Sequence, residues 1–445
     1  MEAYEYMSAS TSQLKLPSYS PSLPSPDYSV KPADDERLLD QTLRASREAN
    51  SLFIKKAGKT TVALNDQEEG ATTPKYGRNA DISGNLFFEQ SHSILDITLN
   101  VEGKLETMVS DAGGRTSHLL RLSQSLWSHS TSPGATCPDQ LEFNVTLPTT
   151  FNHNGESGPL PPSYHVNYFS MPSLFVRASY QLHLVITRTR HQKMGIFTKT
   201  KHILVPFTYL PRTRPHRPII PSPGFFSSVK TSPEEWYQAV STLKTRPKAT
   251  IDPVNAHLFI PGGRIYGMKD AIPFHLQLSG KTCSLQHLFS EAGLDRITSI
   301  DSHNTAASDR PARKNSKPLI RVYILRQTSI AGSRDAWKNS VISEGTLWPT
   351  PPDLCPCCSY DSVCSEGHVD WEGELQCGEG VTVGGFTAAN VTVKDFIVLS
   401  LTPPEPSRSQ LQEMQMTIPI RLVTESWAET TGGDHRDSMA SQFAM

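Results

Sequence analysis

Three groups of residues in this 445-residue chain have the types and spacing to do chemistry: a proline–tyrosine segment, a cysteine cluster and a run of cations. Pro161-Pro162-Ser163-Tyr164 reads P-P-x-Y. Adjacent prolines pre-form a polyproline II ridge that fits the aromatic groove of a WW domain, and the tyrosine adds an anchor. The competing reading makes Tyr164 the half-buried start of a strand. Two weaker variants, Leu16-Pro17-Ser18-Tyr19 and Ser25-Pro26-Asp27-Tyr28, sit near the N-terminus in a Ser/Pro-rich stretch. They are WW-ligand candidates through Pro17, Tyr19, Pro26 and Tyr28, or plain low-complexity tail.

The cysteines Cys355, Cys357, Cys358 and Cys364, with His368 and Cys377 nearby, suggest zinc. Zinc sites favour cysteine pairs separated by two to four residues. Cys355 and Cys358 satisfy that, but Cys364 and Cys377 supply no regular second pair, so reduced thiols in a polar insertion are the expectation, and no cofactor is. Arg188, Arg190, His191, Lys193, Lys199, Lys201 and His202 gather on a candidate hairpin, Ile186 to Leu204. Such a patch can meet phosphorylated tails or anionic lipid head groups; the alternative is a solvated hairpin tip. Enzyme signatures fail on spacing. Gly58-Lys59-Thr60 mimics the end of a P-loop, but Phe53 stands where the first glycine belongs. No nucleophile elbow or H-E-x-x-H occurs, and the chain is expected not to be an enzyme. The sequons at Asn144 and Asn390 fall inside expected strands and read as coincidence.

Strands must position these groups. The best-defined stretch runs from Gly380 to Pro404, where Val391, Val393, Ile397, Leu399 and Leu401 share one parity. Period-2 alternation marks a strand with one face on a core. Asp395 breaks the apolar parity, which predicts a β-bulge or a strand edge there. Gly384-Gly385 supplies a turn before this strand, and Pro403-Pro404 ends it. Ser51–Ile54 and Thr60–Leu64 flank a Lys-Ala-Gly-Lys turn as a hairpin. Alternation recurs at Leu95–Val101, Leu141–Leu147, Tyr180–Ile186 and Ile203–Phe207. Many short alternating strands without intervening helices predict antiparallel sandwiches.

This assigns an N-terminal domain to 50–210, after a Ser/Pro-rich segment (1–49) expected to be disordered. Residues 211–247 read as a linker containing a helix: Ser232 as cap, Pro233 in the first turn, then Trp236, Ala239, Val240 and Leu243 on one face. A C-terminal domain, 248–425, holds strands at Ile272–Leu278, Leu319–Leu325, Trp371–Leu375 and Met416–Leu422, with 299–317 and 328–366 expected as polar loop-like insertions. The tail, 426–445, is expected to be disordered. The fold class is thus all-β, with two successive immunoglobulin-like antiparallel sandwiches.

Composition bounds the function. A formal net charge of −2 gives no global field toward nucleic acid. Apolar residues make up 37%, below the roughly 45–50% of globular domains by a count that includes glycine, and 34 prolines dilute the core with loops and tails. No apolar run reaches the ~18 residues of a membrane span. The N-terminal sequence lacks a secretory pattern, and the crowded cysteines do not resemble an extracellular disulfide framework. A cytoplasmic protein is expected.

Two consecutive sandwiches on such a chain resemble the arrestin-like family, specifically its fungal α-arrestin relatives. The residues that carry the resemblance are SGNLFFEQSHSILDITLNVEGKLE (83–106), ending its strand in Val101-Glu102-Gly103. The Pro161–Tyr164 segment followed by Tyr180-Gln181-Leu182, IPFHLQLSG (272–280) and VGGFTAANVTVKDFIVLSLTPP (383–404) also carry it. It spans roughly residues 50–425. The resemblance implies a non-catalytic adaptor that binds cytosolic tails of membrane proteins and recruits a HECT-type ubiquitin ligase for endocytic sorting at plasma membrane and endosomes. Family P-P-x-Y segments usually lie in the C-terminal tail, whereas here the chain after 425 has no proline. Two other readings stand beside this one: a vacuolar-sorting-type scaffold independent of ubiquitin ligase, and a secreted adhesion-like sandwich.

Overall fold

A computed structural model describes residues 36–39, 51–131, 135–192, 195–220, 224–289, 319–332, 335–350 and 365–427, with the backbone alone at 36–39 and 190–197. Strands dominate, arranged mostly as antiparallel sheets, and the short helices are Phe225–Thr231 and Thr282–Phe289 among the described residues. In the first half one sheet runs in the order Lys75–Tyr76, Gly195–Tyr209, Leu174–Gln192, Ile94–Val109, Gly113–Ser128. Tyr164–Tyr168 also pairs with Leu174–Gln192. The facing sheet has the order Phe53–Ala57, Thr60–Leu64, Asp81–Phe88, Gln140–Thr146.

Alternation builds the core between them. Leu64, Ile82, Leu86 and Phe143 from one sheet meet Leu99, Val101, Leu182, Leu184 and Val205 from the other. The hairpin expected around the Lys-Ala-Gly-Lys turn is present, with Phe53 opposite Leu64 and Ala57 opposite Thr60. Gly58 turns it at φ +54°, a conformation that costs glycine little. That hairpin, rather than a phosphate loop, is where Gly58-Lys59-Thr60 resides. The strand Ile94–Val109 runs on past Val101-Glu102-Gly103, and within it Gly103 lies opposite Tyr180, whose ring would stand 2.7 Å from any added Cβ.

The second half repeats the plan. One sheet has the order Trp236–Leu243, Val254–Pro261, Ile272–Lys281, Glu366–Leu375, Thr346–Thr350. The other runs Ile265–Gly267, Met414–Val423, Val391–Leu401, Ile320–Ile330, Ala336–Glu344, with Phe386–Ala388 also on Val391–Leu401. Leu258, Phe274, Leu276, Ile324, Leu399 and Ile418 lie in the core between these sheets.

Four expectations change. The helix read at 232–243 is a 3-10 turn, Pro233–Glu235, leading into the strand Trp236–Leu243. Tyr237, Ala239 and Leu243 are buried on one parity, and pairing with Val254–Pro261 outweighs the weak helical spacing. Ser232 makes no side-chain cap, and the helix lies earlier, at Phe225–Thr231. The expected insertion 328–366 contains the strands Ala336–Glu344 and Thr346–Thr350, while 299–317 lies outside the described residues. Ala336–Glu344 is an edge strand whose outer face carries Trp337, Asn339 and Val341 in water, which hides its period in hydropathy. Glu36–Leu39, placed in the disordered N-terminal segment, pairs antiparallel with Arg212–Pro215; residues 1–35 and 428–445 lie outside the described residues.

The fourth concerns Asp395. Neither a bulge nor an exposed edge is found there. Pairing with Ile320–Ile330 runs through Arg326 opposite Asp395 without a shift, and the residue is fully buried. On the strand's other side the partner changes at this point, from Phe386–Ala388 to Met414–Val423. The core changes with it. Val391 and Val393 belong to the first apolar cluster and Ile397, Leu399 and Leu401 to the second. The broken parity marks where one strand passes from core to core.

Candidate binding surface and the buried junction

The P-P-x-Y segment lies at that junction. Pro161 and Pro162 are buried, and the Pro161 carbonyl accepts a 2.5 Å hydrogen bond from the Tyr180 hydroxyl. Ser163 bonds Tyr209 twice, its N–H donating to the Tyr209 carbonyl and its Oγ accepting from the Tyr209 N–H. Tyr164 starts the strand Tyr164–Tyr168, with its ring edge-on to Phe386 at 5.2 Å and its hydroxyl 3.2 Å from Thr328 Oγ1. Burial pushes its pKa up. A WW groove must reach both prolines, and here they are inside the protein. The expectation of a WW ligand at Pro161, Pro162 and Tyr164 is therefore corrected: the segment fastens the first pair of sheets to the second.

Beneath Tyr164 is a charged pair that alternation alone did not reveal. The Arg326 guanidinium donates from Nε to Asp395 Oδ1 at 2.7 Å and from Nη2 to Asp395 Oδ2 at 3.0 Å. Nη2 also donates to the Val383 carbonyl at 2.9 Å. Burial alone would depress the Arg326 pKa, but the adjacent Asp395 charge and its hydrogen bonds hold it above its ordinary value. The signal in the sequence was the parity break itself: a lone aspartate on an apolar strand asks for a buried cation.

Along the described part of the cationic hairpin, Arg188 and Lys201 are fastened by hydrogen bonds to neighbouring segments. Arg188 donates to the carbonyls of Glu89 and Gln90 at 3.2 and 3.1 Å and approaches Thr60 Oγ1 at 3.4 Å; burial lowers its pKa. Lys201 donates to the Ala57 carbonyl, and its pKa is lowered by burial and then by repulsion from Arg188 and Lys199. From the other sheet, Lys55 donates to the Leu204 carbonyl at 2.7 Å and Lys59 to Gln90 Oε1. The two hairpins are thus stitched together by cations whose acceptors are mostly neutral carbonyls. Lys56 pairs with Glu89 at 3.3 Å, and Lys199 is exposed. The Lys193 position and the Arg190 side chain lie outside the described residues. Sequence reading missed the contribution of Lys55, Lys56 and Lys59, although their spacing around the Gly58 turn was the available signal.

Other candidates fall elsewhere. Pro17, Tyr19, Pro26 and Tyr28 lie outside the described residues, as do Cys355, Cys358 and Cys364. Cys377 is partly buried, and its thiol is pushed up to about 11 by burial and by the Asp395 charge. No group of three or more His, Cys, Asp or Glu among the described residues could hold a metal ion. No helix among them is long and apolar enough to cross a membrane. No protein-family model matches this chain, and no curated protein matches it in sequence.

Proposed function

We propose that the chain is a non-catalytic, arrestin-like adaptor of two sandwich domains that binds anionic cytosolic tails of membrane proteins and links them to sorting machinery. One observation carries this reading: Lys55, Lys59, Arg188, Lys199 and Lys201 converge from two sheets on one end of the first half. A chain with net charge −2 gains there a local positive field. Neutral carbonyls fix Lys55, Lys59, Arg188 and Lys201 in place without cancelling their charge, so an acidic or phosphorylated segment is the complementary ligand. The resemblance noted in the sequence supplies the adaptor role, and recruitment of a WW-domain ubiquitin ligase then falls to the Tyr19 and Tyr28 segments. A second reading, a sorting scaffold independent of ubiquitin ligase, is favoured by the burial of Pro161 and Pro162.

Acidic and phosphorylated tail peptides, titrated into the full chain at rising salt, test the adaptor reading. Binding that weakens with salt and with Lys59→Glu plus Lys199→Glu supports it; affinity indifferent to both removes it. A parallel titration with HECT-ligase WW domains separates the two versions. Loss of WW binding in Tyr19→Ala or Tyr28→Ala favours ligase recruitment, and no WW binding by the wild type favours the scaffold.

A further inference from the structure

At the seam between the two halves, beside the buried Pro161 and Pro162, lies a cavity of about 90 Å³. Segments 159–162 and 209–213 wall it from the first half, and segments 383–387 and 421–424 from the second. Two guanidiniums line it. Arg421 alternates with Ile420 and Leu422, which face the second core, and is itself buried. Arg78 follows the strand Lys75–Tyr76, is partly buried, and makes no hydrogen bond or ion pair among the described residues. Tyr209, only 1% exposed, also lines the cavity, and its hydroxyl has no hydrogen-bond partner among the described residues. Burial pushes the Tyr209 pKa up to about 12, and the Arg78 charge opposes that rise, so guanidinium and hydroxyl are neighbours. The Thr149 and Thr387 side chains add hydroxyls, and the described lining contains no carboxylate.

We propose that this cavity is a seat for one tetrahedral oxyanion of the phosphate class, held between Arg78, Arg421 and the Tyr209 hydroxyl. Charge taken out of water needs opposite charge or hydrogen bonds around it, and two guanidiniums on one small space ask for an anion. The planar guanidinium fork matches the oxygens of phosphate. A protonated phenol beside the two cations has a proton to donate, and a phosphate oxygen accepts it. Size bounds the ligand. A water needs about 10–15 Å³ of such a cavity, so this one takes a single phosphate or sulfate and excludes a nucleotide. Since the walls come from both halves, a bound ion would tie the two sandwiches together. None of Lys55, Lys59, Arg188, Lys199 or Lys201 lines the cavity, so the proposal stands apart from the adaptor reading.

The test is calorimetric titration of inorganic phosphate into the full chain at constant ionic strength, with urea unfolding measured with and without phosphate. One equivalent is expected to bind, and the urea midpoint to rise with phosphate as mass action requires. Arg78→Gln is expected to weaken binding about 10–100-fold, and Tyr209→Phe, which keeps the ring, about tenfold. Should the arginine variant not fold, the tyrosine variant decides. Binding that survives Lys59→Glu plus Lys199→Glu belongs to the seam; binding lost there instead moves the ion to the hairpin surface and overturns the proposal. Phosphoserine separates the sources: affinity equal to that of phosphate assigns the seat to a phosphoryl ester, and binding of phosphate alone assigns it to the free ion. A midpoint that rises equally in wild type and both variants reports salt excluded from the protein surface. That result, or the absence of saturable binding, overturns the proposal.

Discussion

Two buried aspartates in the second half answer the same physical problem differently. Asp395 sits between the two apolar cores, and both its oxygens accept from Arg326. Asp370 is buried on the other sheet, where Oδ1 meets His275 Nε2 at 2.8 Å and Gln277 Nε2 at 3.0 Å. His275 lies under the helix Phe225–Thr231, its ring stacked on Phe225 at 3.9 Å and 8°. Its Nδ1 is buried without a hydrogen-bond partner. The first pair is bidentate and anchored again on Val383; the second leaves a polar atom unsatisfied. A completed network specifies one arrangement, whereas an incomplete one is held by what covers it. The junction between cores is therefore the fixed point, and the helix-covered sheet the yielding one.

The largest expected effect breaks the fixed point. Asp395→Ala leaves the Arg326 guanidinium buried and unpaired, which should cost about 3–5 kcal/mol in urea unfolding. Replacing both partners, Arg326→Met with Asp395→Leu, should recover most of that loss, because no stranded charge remains. If the single variant were as stable as wild type, the junction would not be the fixed point. Asp370→Asn should cost less, about 1–3 kcal/mol, since an amide oxygen still accepts from His275 and Gln277. Equal losses at the two aspartates would erase the distinction. Smaller again is Tyr164→Phe, which removes one hydroxyl from Thr328 and keeps the ring on Phe386. It should cost about 0.5–1.5 kcal/mol, and a cost near zero would mean that the ring alone fastens the segment.

The contrast also explains what could be read in the sequence. Alternation around Leu95–Val101 and Val391–Leu401 was legible because one face of each strand is apolar and the other is not. It failed at Ala336–Glu344, where an edge strand puts Trp337 and Val341 in water. It misled at Trp236–Leu243, because four apolar residues fit a helical spacing and only the neighbour Val254–Pro261 decides between the periods. Asp395 was visible as an anomaly, but its partner is 69 residues away in the chain and no local rule connects them. The P-P-x-Y segment shows the same limit in reverse. Its composition left exposure and a half-buried strand start both open, and what decides is contact with Tyr180 and Tyr209 on other strands. For the candidate surface, the cations of one hairpin were legible and those of the facing hairpin were not, since proximity of the two is a tertiary fact.

The finest test concerns acid. His257 faces Gln238 and Ser279 through its two ring nitrogens, at 3.0 and 3.2 Å, with Asp370 the nearby charge. Burial lowers its pKa below the ordinary 6.5, against a smaller opposing pull from Asp370. A histidine with a depressed folded pKa binds fewer protons folded than unfolded, so stability rises with pH through this window. The contribution is intact above 6.5 and is lost as pH falls from there toward the folded pKa. His257→Gln keeps a polar group between Gln238 and Ser279 but cannot take up a proton. Urea midpoints measured from pH 7.5 down to 5 should therefore fall less steeply in the variant than in the wild type. The same substitution should leave unchanged the cost of Asp395→Ala at neutral pH, because the two sites share no partner. A variant with the wild-type slope would mean that His257 is not the acid-sensitive group of this sheet.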